Sequence, residues 1–155
     1  MTVDLYHLMD HALAEAELAL AEGEVPVGAV LAREDGEIVA SAHNQPVGTC
    51  DPTAHAEILA LRKAGLVSGN YRLNRSILVA TIEPCTMCMG AALHARVATV
   101  VYGAPDPKAG AAGSLYNLGE DHRLNHRMVI VSGIRKEECR TIMQKFFLAR
   151  RRKTE

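Results

Sequence analysis

Seven consecutive residues, Ser76-Ile-Leu-Val-Ala-Thr-Ile82, carry no charge and are dominated by β-branched and aliphatic side chains. A run this short and this apolar reads as a strand covered on both faces, which belongs in the interior of a sheet with helices above and below. The flanking sequence supplies the rest of such a sheet. Val25 to Ala32 reads as a strand whose proline sits at its start, where no ladder donor is needed. Arg33-Glu-Asp-Gly36 is turn chemistry and Glu37 to Ala42 a second strand, so the two form a hairpin. Further strands are expected over Val97 to Tyr102 and Met128 to Val131.

Helices are expected between them. The first, capped by Thr2 or Asp4, runs to about Glu22 and stops at Gly23, with Leu5, Leu8, Met9, Ala12, Leu13, Ala16 and Leu20 on one side. His7 and His11 have a spacing that can hold a metal, but they fall opposite that stripe, on a solvated face. Others are expected over Ala54 to Ala64, Thr86 to Ala95 and Lys136 to Arg152. In the last, Cys139, Ile142, Met143 and Phe146 share a face, which makes Cys139 a core residue. Strands alternating with helices after an opening hairpin predict a three-layer α/β/α domain around a mixed five-stranded sheet, formed by residues 1–155 as one unit. The segment Gly103 to Ser114 has no periodicity, and a loop that long in a compact domain is usually functional or disordered.

Composition excludes several functions. With 17 Lys+Arg against 18 Asp+Glu the formal charge is −1, so any nucleic-acid-binding surface must be local. Trp is absent and there are only 2 Phe and 4 Tyr, which argues against a broad aromatic stacking platform. No apolar stretch is long enough to span a bilayer, and the first residues lack the regions of a signal peptide, so a cytoplasmic location is expected. In that setting a Cys-x-x-Cys pair favours metal or redox chemistry over a structural bridge.

The informative residues are His55-Ala-Glu57 and Pro84-Cys85-Thr-Met-Cys88. Cys85 and Cys88, three apart on a helix, present both sulfurs to one ion. Cys85 at the positive end of the helix dipole favours the thiolate that a metal needs. His55, near another helix start, can supply a third ligand. Two thiolates and an imidazole suit tetrahedral Zn²⁺, and three protein ligands leave a fourth position open for water, as in catalytic sites. Glu57 is then the candidate proton shuttle. Positions two apart on a regular helix point about 200° from each other, so His55 and Glu57 converge only at an irregular helix start. Two other readings of the pair of motifs remain: a redox module on Cys85 and Cys88, and a non-catalytic RNA-binding protein with a structural zinc.

The combination His55-x-Glu57 with Pro84-Cys85-x-x-Cys88 resembles the zinc-dependent nucleobase deaminases. The wider match, over Asp51-Pro-Thr-Ala-His-Ala-Glu-Ile58, Val25-Pro-Val-Gly-Ala-Val30, Asn44, Gly110-Ala-Ala-Gly-Ser-Leu115 and Asn125-His-Arg127, resembles the bacterial tRNA-specific adenosine deaminases. That resemblance implies a cytidine-deaminase-like fold, one zinc per subunit, and a homodimer with the active site beside the subunit interface. It also implies conversion of the wobble adenosine of a tRNA anticodon to inosine. His55, Cys85 and Cys88 match the family's zinc ligands and Glu57 its proton carrier. Asn44 matches the asparagine that hydrogen-bonds the flipped-out nucleoside, and the Ala56 backbone the group that contacts the base. Asp106 and Lys108 match the loop that grips neighbouring nucleotides. A superfamily enzyme acting on a free base or nucleotide is the competing expectation, because the zinc chemistry is shared. Arg150-Arg-Arg-Lys153 reads equally as a solvated helix end or as a phosphate contact, and Cys50 as a free thiol.

Overall fold

The computed structural model describes residues 2–154. Ten elements follow one another: α1 (Leu5–Ala21), β1 (Gly28–Arg33), β2 (Ile38–His43), α2 (Pro46–Thr49), α3 (Ala56–Ser68), β3 (Ser76–Ile82), α4 (Thr86–His94), β4 (Thr99–Ala104), β5 (Val129–Val131) and α5 (Lys136–Thr154). The five strands form one sheet in the order β2-β1-β3-β4-β5. β1 pairs antiparallel with both β2 and β3, whereas β3–β4 and β4–β5 are parallel. The sheet is therefore mixed and five-stranded, as expected, with β3 at its centre.

The alternation of β3 explains the layers. Ile77 and Val79 pack with Leu8, Met9 and Ala12 of α1 and Cys139 of α5, while Leu78 packs with Leu61 and Ala64 of α3 and Met89 and Ala92 of α4. With one helix pair against each face, nearly every residue of the strand is buried, and each fully buried aliphatic side chain contributes about 1.5–3 kcal/mol. α1 approaches the sheet unusually closely: a Cβ at Gly28 would collide with the Ala12 carbonyl. The α1 face is correspondingly small, with Ala12, Ala16 and Ala19 fully buried. Leu5, Leu13 and Leu20 sit at the edge of the stripe, half-buried. Asp4 is the cap of α1, its Oδ1 accepting from the Tyr6 and His7 N–H groups. His7 and His11 are exposed and Cys139 is buried.

Several boundaries differ from the sequence expectation. β1 begins at Gly28 rather than Val25, and β4 runs to Ala104, two residues further than expected. The short helix α2 occupies the polar stretch after β2. α3 continues through Gly65 to Ser68, because the left-handed residue that ends it is Gly69, at φ 67°. That extension carries Leu66 and Val67 into the open, at 85% and 68% exposure, and Tyr71 just beyond it is exposed as well.

Candidate metal centre and active site

Two helix N-termini meet at the C-terminal end of the central strand. α4 starts immediately after β3 and Pro84, with Cys85 as its N-cap in an extended conformation (φ −79°, ψ 179°). α3 starts with His55 as its N-cap, also extended (φ −73°, ψ 150°). An N-cap side chain ordinarily turns back onto its own helix. Neither of these does so, and both are free to point at a common centre instead. Because His55 lies outside the helical geometry, Glu57 is not held on the opposite side of it. The irregular start that convergence requires is present.

The cluster is compact. His55 Nδ1 lies 3.6 Å from Cys85 Sγ and 3.6 Å from Cys88 Sγ, and the two sulfurs are 3.7 Å apart. A tetrahedral zinc with Zn–S of about 2.3 Å and Zn–N of about 2.0–2.1 Å requires ligand–ligand edges of about 3.6 and 3.8 Å. The donor set and its spacing fit that ion. The hydrogen bond with Cys88 and the neighbouring imidazole hold the Cys85 thiol pKa far below its ordinary range, whereas the same bond and burial push that of Cys88 up. His55 is raised chiefly by its hydrogen bond with Cys85. The two helix dipoles add positive potential at the same point. No other group of metal-binding side chains of this kind occurs among the described residues.

Glu57 is 4% exposed, and its carboxyl interacts with the Cys88 thiol at the edge of the cluster. Burial pushes its pKa up, which is the direction that suits a group exchanging protons near neutrality. Asn44, also buried, directs its Oδ1 to the Ala56 N–H at 2.8 Å. The side chain thus caps α3 from outside, supplying the acceptor that His55 does not, and the Asn44 NH₂ remains free to donate. The Ala56 N–H is committed to this bond.

Asp106 and Lys108 lie on the loop after β4. Asp106 Oδ1 accepts from the Lys108 and Ala109 N–H groups at 3.0 and 3.2 Å. Lys108 lines a groove of about 570 Å³ with Arg140, Met143, Gln144, Phe147, Leu148 and Arg151 of α5. The loop is not floppy, since Gly110, Ala111 and Ala112 are buried. The residue organising it, Glu83, was not singled out from the sequence, and neither was Glu24. Each is 3% exposed. Glu24 accepts from the Val47 and Gly48 N–H groups at 3.1 and 2.7 Å, fixing α2 beside Asn44. A carboxylate satisfied by backbone donors leaves no motif; a lone Glu before Pro84-Cys85 was the only available signal. Cys50 is exposed and His126 bonds the Val97 carbonyl, so both stand apart from the cluster.

Residues 3–104 match the model of the cytidine and deoxycytidylate deaminase zinc-binding region. The chain is 46% identical to a tRNA-specific adenosine deaminase of Haemophilus influenzae over 144 residues, covering 93% of this chain and 83% of the relative. It is 45% identical to the tRNA-specific adenosine deaminase of Bacillus subtilis, covering 94% of this chain and 89% of that one. Among solved structures it superimposes on a tRNA:A34 deaminase, studied in A-to-I editing at the wobble position of transfer RNA. The TM-score is 0.84 at 40% identity, over 88% of this chain and 98% of the other.

Proposed function

Because this chain belongs to the cytidine and deoxycytidylate deaminase family, we propose that it hydrolyses the 6-amino group of the wobble adenosine in a tRNA anticodon loop, yielding inosine and ammonia. The observation that carries the reading is the three-ligand cluster of His55, Cys85 and Cys88 with the buried Glu57 carboxyl at its edge. A closed structural site has four protein ligands and no use for a proton carrier. When bound, zinc lowers the pKa of water at its open position toward neutrality and so supplies a nucleophile.

The chain's own groups do the rest. Glu57 takes the proton that water sheds and delivers it to N1 of adenine, drawing electrons from C6. A C–O bond then forms at C6, and Glu57 takes the remaining proton from the new hydroxyl and passes it to the amine, so that ammonia leaves as the C–N bond breaks and the C6 carbonyl forms. Proton transfer of this kind is worth roughly 10²–10⁴ in rate. Asn44 positions the nucleoside through its free NH₂, beside the Ala56 backbone. Asp106 and Lys108 hold flanking nucleotides, and the groove between Lys108 and α5 offers Lys108, Arg140 and Arg151 to phosphates with Phe147 as an apolar wall.

The same reading includes a cytoplasmic homodimer. No helix among the described residues is long and apolar enough to cross a membrane. A groove of about 910 Å³ between α3 and α4, lined by Ile58, Leu61, Leu66, Tyr71 and Ala91 among others, supports pairing with a second copy through the apolar surface that α3 exposes.

The test is to incubate zinc-loaded protein with an anticodon stem-loop carrying a wobble adenosine, and separately with free adenosine, guanine and cytosine. Inosine in the stem-loop with no ammonia from the free compounds is expected. Glu57→Ala should retain zinc and lose turnover. Near-normal turnover by that variant would refute the assigned role.

A further inference from the structure

Glu83 lies between the end of β3 and the Pro84-Cys85 that opens α4. Its Oε1 accepts from the Asp106 N–H at 3.0 Å and from the Ser114 hydroxyl. Its Oε2 accepts from the Ala112 and Ser114 N–H groups at 3.0 and 2.9 Å. All four donors come from one loop. None of the ion pairs among the described residues includes Glu83, so these donors alone compensate a carboxylate that is almost wholly buried. Gly110 packs directly on the carboxyl, where a Cβ would overlap its terminal atoms. The next residue adds a second tie, the Ala111 N–H donating to the Pro84 carbonyl at 2.8 Å.

The loop is therefore bonded to the two residues immediately preceding Cys85. From Asp106 the chain of bonds continues outward, because its Oδ1 orients the Lys108 and Ala109 amides. We propose that Glu83 is a positioning residue that registers the Asp106–Ser114 loop to the metal cluster and thereby sets affinity for the RNA strand, leaving the proton transfers at Glu57 unchanged. This rests on the RNA-deaminase reading above. Glu24 offers a precedent within the same fold, a second buried carboxyl group holding the short helix α2 beside Asn44 by backbone amides alone.

The geometry separates two variants. In Glu83→Gln the amide NH₂ is best placed at the Oε1 position, where the Ser114 hydroxyl can rotate to accept, so only the Asp106 N–H is orphaned. In Glu83→Ala both arms of the loop are released. The experiment uses zinc-loaded protein and measures hydrogen exchange at the loop amides, zinc content, and kcat and KM on the anticodon stem-loop. For Glu83→Gln the Asp106 amide should exchange faster while Ala112 stays protected. KM should rise about tenfold, the effect of one lost charge-assisted hydrogen bond, with kcat and zinc content within about twofold of wild type. Glu83→Ala should release both amides and raise KM further.

An Asp106 amide that stays protected in Glu83→Gln would overturn the anchor. An unchanged KM despite a released Asp106, or a loss of kcat in parallel with zinc, would overturn the positioning role. Wild-type protein inactive on the stem-loop would instead refute the proposed function, and the exchange measurements would still decide whether Glu83 anchors the loop.

Discussion

Replacing Asn44 tests whether one side chain serves the fold and the substrate through different atoms. Its Oδ1 accepts from the Ala56 N–H at 2.8 Å, and Ala56 is fully buried. In Asn44→Ala that N–H has no partner, because the N-cap residue His55 does not supply one. Orphaning a buried donor costs about 1–3 kcal/mol. For a chain of this length each kcal/mol moves Tm by roughly 2–4 °C, so a drop of about 2–12 °C is expected in zinc-loaded protein. Asn44→Asp keeps an oxygen for the Ala56 N–H, in a position where the α3 dipole favours negative charge. It removes the NH₂ assigned to the nucleoside. The two variants should therefore differ in stability, with Asn44→Asp the closer to wild type, and agree in losing turnover on the stem-loop. Thermal unfolding followed by circular dichroism, with zinc content measured alongside, provides the readout. An Asn44→Ala protein melting within a degree of wild type would refute the capping argument, and full turnover by Asn44→Asp would refute the role of the NH₂.

Two further outcomes are expected from features outside the catalytic cluster. His43, largely buried, is bracketed by Glu15 at 2.6 Å and Glu22 at 2.9 Å. Burial alone would lower its pKa, but the hydrogen bonds and charges of the two glutamates raise it above the ordinary histidine value. A folded-state pKa above the unfolded one stabilises fully below the unfolded value and ceases to do so as pH rises through the folded value. The stability advantage of wild type over His43→Gln, measured by urea unfolding, should thus be present near pH ~5.5 and shrink by pH ~9. An advantage equal at both would contradict the assignment. Leu66, 85% exposed on α3, should lie in the proposed subunit contact. Leu66→Glu is expected to shift the protein to monomer in sedimentation velocity with its fold intact, and an unchanged dimer would move the interface elsewhere.

The parts of the fold that were legible in the sequence are those whose cause is local. The uncharged run Ser76 to Ile82 marks the central strand to the residue, because burial on both faces leaves a continuous apolar pattern. Thr86 to His94 follows it as a helix, within one residue of expectation. Where the expectation erred, the competing cause was also physical. The expected helix over Ala54 to Ala64 stops short of the observed end of α3 at Ser68, because it is Gly69 that adopts the left-handed conformation. Val25 to Val27 precede β1 because pairing with β2 begins only at Gly28, opposite His43.

Residue types and spacing alone determined the kind of ion that this chain can hold and the need for a carboxylate beside it. The meeting of His55 with Cys85, thirty positions apart, was decided by the sheet and the two helices that begin at its edge, and so was the free direction of both N-cap side chains. Tertiary structure alone also assigned Glu83, Glu24 and the Asn44 Oδ1. Glu24 and Asn44 Oδ1 are held by backbone N–H groups and Glu83 by three of them together with the Ser114 hydroxyl; every residue but proline carries such an N–H, so a backbone partner writes nothing into the sequence.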